Sequence, residues 1–339
     1  MAKLTPPTSN NAVETLAKRI IRGVGVGVMI MAVLLPVSGF KKPEELTRFT
    51  LLEHHMGIDA RIILYAPNQQ VVDAAGEAAF QRIADLEAIM SDYRKDSELM
   101  RLCAAPAKQP VKISKDLFIV LEKAQGISKQ SNGAFDVTVG PLVQLWRKAR
   151  KEFKLPEPAA IESAKNLVGY QKLTLNREQQ TAELAIQGMK LDLGGIAKGY
   201  AADEAMKMLQ KHGIKSALIE MGGDILVSNA PPKGKGWKVL VPNREVNGVP
   251  TEILLSNCAI STSGDTEQYV TINGIRYSHV VDPKTGAGLT ERIQSTIIAP
   301  DGLTSDPLST AVTILSDEQR KALLKNYPKV QVFIKRASN

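Results

Sequence analysis

Three short stretches carry residues whose types and spacing could do chemistry. "LDLGGIAKGYAADEAMKMLQ" (Leu191–Gln210) starts like a strand, breaks at Gly194-Gly195 and continues as a helix from near Ile196. Unpaired N–H groups and the positive end of a helix dipole would face that turn, an arrangement suited to phosphate. The stretch fits neither G-x-G-x-x-G nor G-x-x-x-x-G-K-[ST], so the usual phosphate fingerprints do not say which phosphate. "TSDPLSTA" (Thr304–Ala311) puts Asp306 and Thr310 four residues apart where a helix is expected to start, on one side of it. A carboxylate and a hydroxyl so placed suit a hard cation such as Mg²⁺, with phosphate and water completing the shell. "YSHVVDPKTG" (Tyr277–Gly286) holds His279 and Asp282 ahead of a Pro/Gly turn, and a histidine can take a proton near neutral pH. Singly, each has an ordinary alternative: Asp192 or Asp306 could cap a helix, and His279 could be structural.

These residues must be positioned by a mixed set of elements. Met56–Ala66 alternates as a strand, and Val72–Met90 carries apolar residues at helical spacing. "SDYRKDSELMRL" supplies a turn and a helix cap, and a helix over Ser114–Ser131 stops at Asn132-Gly133. The charged, proline-punctuated run Arg147–Ala160 reads as a connection with a solvated basic face, after which Pro158 opens a helix to about Leu167. "KLTLN", "TAELAI" and "MKLDLG" read as an antiparallel set, and "KSALIEMGGDILVSN" as two strands about a Gly-Gly turn. Further strands are expected in "WKVLVP", "ILLSNCAIST", "YVTING" and "STIIAP", with a last helix near Leu308–Lys325. Strands in hairpin-like succession with interspersed helices indicate an α+β fold rather than a doubly wound sheet. The lack of G-x-G-x-x-G geometry speaks against a dinucleotide-binding dehydrogenase.

The 339 residues are 44% hydrophobic, enough for one large core or two moderate ones. A net charge of +8 without a basic stripe interleaved with aromatics does not point to nucleic acid. Residues 23–40, "GVGVGVMIMAVLLPVSGF", are uncharged and follow Lys18-Arg19-Ile20-Ile21-Arg22, the pattern of an export signal or a single membrane anchor. The expected organisation is therefore a signal or anchor at 1–40, a tether at 41–55 and one functional domain at 56–335. Only Cys103 and Cys258 occur, so neither a lipid-bearing N-terminal cysteine nor a disulfide framework is expected.

With "SNGAFDVTVGPLVQLW" (Ser131–Trp146), "EMGGD" (Glu220–Asp224) and "AISTSGDTEQY" (Ala259–Tyr269), these stretches give the chain a family likeness. It resembles the FAD:protein FMN transferases, with six matching segments in family order from Met56 to beyond Thr310. The resemblance implies the flavin-transferase architecture, T-fold-like, with mainly antiparallel sheets and FAD between sheet-bearing subdomains. It implies a Mg²⁺-dependent reaction that splits the FAD diphosphate, joins FMN to a Thr hydroxyl of a partner redox protein and releases AMP. By the same resemblance Met56, Tyr93, Ala134, Phe135, Asp136, Asp192, Lys198 and Val280 would contact FAD. The carbonyl of Gly195 with Asp306 and Thr310 would hold the metal, and His279 is the choice for the base.

This chain departs from the family pattern at several positions: Ile58 replaces a Thr, Gly195 an Ala, Cys103 an Asn and Pro307 an Ala, while Phe40 stands where a lipidated Cys could fall. The implied setting is the periplasmic side of the inner membrane, signal-cleaved or held through residues 23–40. The rival readings are an FAD diphosphatase, which passes FMN to water, and a flavin-binding protein without catalysis.

Overall fold

β-Branched and aliphatic runs dominate the strands that pair into the central sheet. The computed structural model describes residues 45–246, 249–264 and 268–336; the expected signal or anchor at 1–40 lies outside them. In chain order come β1 (Thr47–His55), β2 (Ile58–Ala66), α1 (Gln69–Met90), α2 (Glu98–Ala104), β3 (Val111–Lys112) and α3 (Lys115–Gln130). Next are α4 (Gly140–Glu152), α5 (Pro158–Lys165), β4 (Leu173–Asn176), β5 (Thr181–Leu184) and α6 (Ala197–Lys211). Then follow β6 (Ala217–Met221), β7 (Asp224–Val227), β8 (Trp237–Val246), β9 (Val249–Leu255), β10 (Cys258–Gly264), β11 (Tyr269–Ile272) and β12 (Ile275–Ser278). β13 (Ile293–Ala299), α7 (Gly302–Ile314), α8 (Asp317–Leu324) and β14 (Gln331–Arg336) complete the chain.

The main sheet has seven strands in the order β1-β2-β6-β7-β10-β13-β14, every neighbouring pair antiparallel. The architecture is α+β, as expected. One face of the sheet packs on α1, α6 and α7, with Ile62, Leu64, Ile219 and Ile297 pointing into that core. The other face is covered by the β8–β9 ribbon, whose Trp237, Val239 and Val241 meet Ile63, Leu218, Ile260 and Ile298. Central strands are thus apolar on both faces, which is why their sequences run hydrophobic instead of alternating. Two hairpins reach toward the site. Met56-Gly57 joins β1 to β2 and Gly222-Gly223 joins β6 to β7, all four residues having positive φ. Two-residue antiparallel hairpins favour such turns because their twist matches the strands.

Four local expectations give way. The tether at 41–55 ends by Thr47, where β1 begins, because Phe49 and Leu51 find partners on the helical side of the sheet. Arg147–Glu152 is the second half of α4 rather than a connection: Trp146 and Ala149 are buried, and the helix stops at Phe153 in a left-handed conformation. "MKLDLG" forms no strand; Leu191 N–H donates to Cys103 Sγ at 3.3 Å and Asp192 N–H to the Val137 carbonyl at 2.8 Å, so no ladder is made. The last helix is two, separated at Leu315-Ser316, where Ser316 and Gln319 form a reciprocal capping box that starts α8.

α6 and α7 meet backbone to backbone. A Cβ placed on Gly199 would stand 2.2 Å from the Gly302 carbonyl oxygen, and one on Gly302 would stand 2.3 Å from that of Gly199. Gly199→Ala therefore has to push the helices apart, and a fall in melting temperature of at least about 4 °C is expected. An unchanged melting temperature would mean that the two helices do not touch there.

Asp203 on α6 caps α7, accepting from the N–H groups of Gly302 and Leu303 at 2.8 Å each. Burial pushes its carboxyl up to about 6, against those two bonds and with Asp301 adding to the rise. The native state therefore holds this proton more tightly than the unfolded chain, whose carboxyl titrates near 3.9. Stability from this group is present below about pH 4 and is lost as pH rises through about 6. The advantage of the wild type over Asp203→Asn in thermal melts should accordingly be larger at pH 4.5 than at pH 7.5; a constant difference would contradict the burial.

Candidate functional site

One cavity of about 870 Å³ is lined by the two glycine hairpins, the loop ahead of α6, one side of α4, α7 and residues of β8 and β10. All twelve residues that the family resemblance assigns to FAD, metal or base line it: Met56, Tyr93, Ala134, Phe135, Asp136, Asp192, Gly195, Lys198, His279, Val280, Asp306 and Thr310; Asp282 does not. They come from segments more than two hundred residues apart in the chain, so the convergence is a property of the fold.

The floor is built by α6 and α7. Asp306 is nearly inaccessible, at 3% exposure. It lies in the second turn of α7, not at its cap, and Pro307 follows it inside the helix. Its Oδ2 accepts the Gly199 N–H at 3.1 Å and stands 3.6 Å from Lys198 Nζ. Lys198 also meets Asp224 Oδ2 at 3.0 Å and the Gly194 carbonyl at 3.0 Å. Burial and the neighbouring charge of Asp224 push the Asp306 carboxyl up to about 7. Burial alone would lower the Lys198 ammonium, but Asp224 and Asp306 outweigh it and hold the group above its usual value.

Hydroxyls anchor α7 to the sheet beneath. Ser305 meets Ser261 at 2.7 Å, Ser295 donates to the Ser309 carbonyl at 2.8 Å, and Ser309 donates to the Asp306 carbonyl at 2.7 Å. Small polar side chains let the helix lie close to β10 and β13 while every buried hydroxyl keeps a partner.

The turn ahead of α6 is tighter than its glycines suggest. Asp192 Oδ1 accepts the Gly194 N–H at 2.8 Å and its Oδ2 accepts from Arg147 at 2.9 Å, so Asp192 shapes the turn and does not cap α6. The N–H groups of Ala197 and Gly199 are also taken, by the Leu193 carbonyl and Asp306, leaving fewer free donors at the helix start than expected. Burial and the charge of Asp92 raise the Asp192 carboxyl, opposed by Arg147. A Cβ on Gly195 would meet Thr310 Oγ1 at 3.0 Å, so the Gly195 backbone and the Thr310 hydroxyl are immediate neighbours.

On the walls, Met56 takes a left-handed conformation (φ 52°) and its N–H donates to Glu87 Oε2 at 2.9 Å, which pins the hairpin against α1. Tyr93 is 76% exposed, with the Arg147 guanidinium 4.3 Å over its ring, so a stacking ligand has the other face. Asp136 lines the cavity as well, with its carboxylate engaged by the wall itself. Its Oδ1 accepts from Thr138 N–H and Oγ1 at 2.8 and 2.7 Å and its Oδ2 from Tyr170 N–H at 2.7 Å. That carboxylate braces the wall, and burial raises it above the usual range.

His279 Nδ1 donates to the Gln268 carbonyl at 3.1 Å, since a carbonyl can only accept. In the neutral ring the basic nitrogen is then Nε2. Beside it, Val280 N–H donates to Ser278 Oγ at 3.1 Å and its carbonyl accepts from Leu289. The sequence reading missed Asp224, Glu87, Arg147 and Arg150 as cavity residues. Asp224 had a visible signal, its place directly after Gly222-Gly223; the two arginines had none, because nothing local says which face of α4 is covered.

Among the described residues no group of three or more His, Cys, Asp or Glu side chains could by itself hold a metal. The donors beside the α6 turn are instead a carboxylate, a hydroxyl and the Gly195 backbone. This all-oxygen set fits a hard cation that completes its shell with ligand oxygens and water.

A sequence model described as the ApbE family matches residues 56–334. The FAD:protein FMN transferase of Treponema pallidum (strain Nichols) is 31% identical over 324 residues, covering 91% of this chain and 89% of its own. That of Haemophilus influenzae is 35% identical over 246 residues, covering 70% of this chain and 71% of its own. Among solved structures, the apo form of Pseudomonas stutzeri flavinyl transferase ApbE superposes with a TM-score of 0.77 at 26% identity, over 87% of this chain and 92% of that one. The flavin transferase ApbE from Vibrio cholerae gives 0.76 at 26% identity, over 86% and 97%.

Proposed function

The chain belongs to the ApbE family, and we propose that this transferase moves FMN from FAD to a threonine of a partner redox protein, with Mg²⁺ bound and AMP released. The single observation that carries the reading is the convergence on one cavity of His279 with the oxygen donors Asp306, Thr310 and Gly195. When bound there by those three residues, Mg²⁺ supplies a positive charge that offsets the charge building on the diphosphate oxygens.

The chain's own residues do the rest. Met56, Phe135 and the open face of Tyr93 hold the flavin end of FAD. Lys198 and the Asp192–Gly195 turn hold the diphosphate near the start of α6, where the helix dipole favours negative charge. The acceptor hydroxyl attacks the phosphorus of the FMN half, forming a P–O bond. The bond from that phosphorus to the oxygen bridging to the AMP half breaks, and AMP leaves with the electron pair. His279 Nε2 takes the hydroxyl proton. No covalent enzyme intermediate is needed; positioning and electrostatics carry the acceleration.

The full chain in mild detergent, given FAD, Mg²⁺ and a Thr-bearing acceptor domain, should release AMP only as the acceptor gains FMN. AMP and free FMN in equal amounts, with the acceptor unmodified, would favour water as the acceptor. FAD bound with no AMP released would leave a binding protein. We place the domain on the periplasmic side of the inner membrane, from the basic cluster and apolar run at 18–40; protease access in spheroplasts against intact cells checks that side.

A further inference from the structure

Charge on the cavity wall is matched almost everywhere. Arg147 pairs with Asp92 and Asp192, Lys198 with Asp224 and Asp306, and Arg94 with Asp96. Arg150 breaks the pattern. Val139, Val143, Arg147 and Arg150 recur at helical spacing along and just ahead of α4 and all line the cavity, so Arg150 sits one turn beyond Arg147 on the ligand-facing side. Its Nη1 is buried and has no hydrogen-bond partner. The nearby Asp192 does not serve it, because its two oxygens accept from Gly194 and Arg147. Burial and the like charge of Arg147 lower the Arg150 guanidinium more than Tyr93 and Asp192 raise it, so no group of the wall is dedicated to this cation. A buried donor without an acceptor is costly, and a guanidinium is matched best by phosphate or carboxylate oxygens.

We propose that Arg150 is a further substrate-binding residue, its cavity-lining guanidinium donating to a phosphate oxygen of the bound flavin nucleotide and so favouring phosphorylated flavin over riboflavin. The proposal rests on the FAD reading above. Two cations separated by one helical turn then divide the work: Arg147 is held by carboxylates and stiffens Tyr93 and the Asp192 turn, while Arg150 is kept for the ligand.

The test is binding, not turnover. FAD and riboflavin are titrated separately into the full-length protein in detergent with EDTA present, and Kd is read from quenching of flavin fluorescence. Arg150→Met is expected to weaken FAD about ten- to a hundredfold while changing riboflavin less than about twofold. Arg150→Lys keeps the charge but not the planar fork, so it should fall between wild type and Met for FAD; it also decides the matter if the Met variant does not fold. Equal losses for FAD and riboflavin would place Arg150 against the flavin ring and overturn the assignment. So would unchanged FAD affinity in both variants. A wild-type protein that binds riboflavin but gains nothing from the diphosphate would overturn the Arg150 proposal alone, whereas one that binds neither would overturn the FAD reading with it.

Discussion

Asp306→Ala is expected to lower AMP release and FMN transfer by roughly a thousandfold or more at saturating FAD, the loss typical of removing a metal or oxyanion contact from a phosphoryl-transfer site. The variant loses the only carboxylate among the three proposed metal donors. Its structural cost is separate and smaller. Asp306 Oδ2 accepts the Gly199 N–H, and an unmet buried N–H costs about 1–3 kcal/mol. Lys198 keeps Asp224 at 3.0 Å, so the ammonium is not stranded. Asp306→Asn separates the two effects, because its amide oxygen still accepts from Gly199 but carries no charge. Asn should therefore restore most of the melting temperature and little of the activity, and it should raise the Mg²⁺ needed for half-maximal rate. A fully active Asn variant with unchanged Mg²⁺ dependence would remove Asp306 from the metal site.

His279→Gln is expected to lower kcat by about a hundred- to ten-thousandfold, the range for a lost general base, while leaving FAD affinity within about twofold of wild type by the same logic. The Nδ1 bond to the Gln268 carbonyl orients the ring with Nε2 as the proton acceptor, and Gln can keep a donor toward that carbonyl without supplying the base. A residual rate within about threefold of wild type would mean that another group takes the proton.

The parts of this site that depend on local chemistry are legible in the sequence. Asp306 and Thr310 share a side of α7 because i and i+4 do so in any helix. The Gly222-Gly223 turn announces itself between apolar runs, whereas the Met56-Gly57 hairpin is hidden because the segment before it reads as a tether. Ser114 and Asn132-Gly133 mark the ends of α3 by caps that act within one turn. What is not legible depends on partners far away in the chain. That Asp136 also braces the wall, through Thr138 and Tyr170, is not visible in its own segment. Leu191-Asp192 looks like strand, yet Cys103 and Val137 take its N–H groups from outside any sheet. The basic run after Trp146 reads as solvated, because nothing near it in sequence reveals that the cavity lies against Arg147 and Arg150.

The charge arrangement across α6 and α7 depends on their close glycine contact. Gly199 and Gly302 let the two backbones touch, and only at that separation can a first-turn N–H of α6 reach a carboxylate on α7. The packing constraint and the charge arrangement are thus one feature: whatever widens the contact moves Asp306 away from Lys198 and the Asp192 turn.

The intact mass of a Thr-bearing acceptor domain after incubation with the full-length protein, FAD and Mg²⁺ tests the central claim most directly. A gain equal to one FMN phosphoester, accompanied by AMP and absent when the acceptor threonine is replaced by alanine, is the predicted result. An acceptor of unchanged mass while AMP and free FMN accumulate would contradict transfer to protein and make water the acceptor.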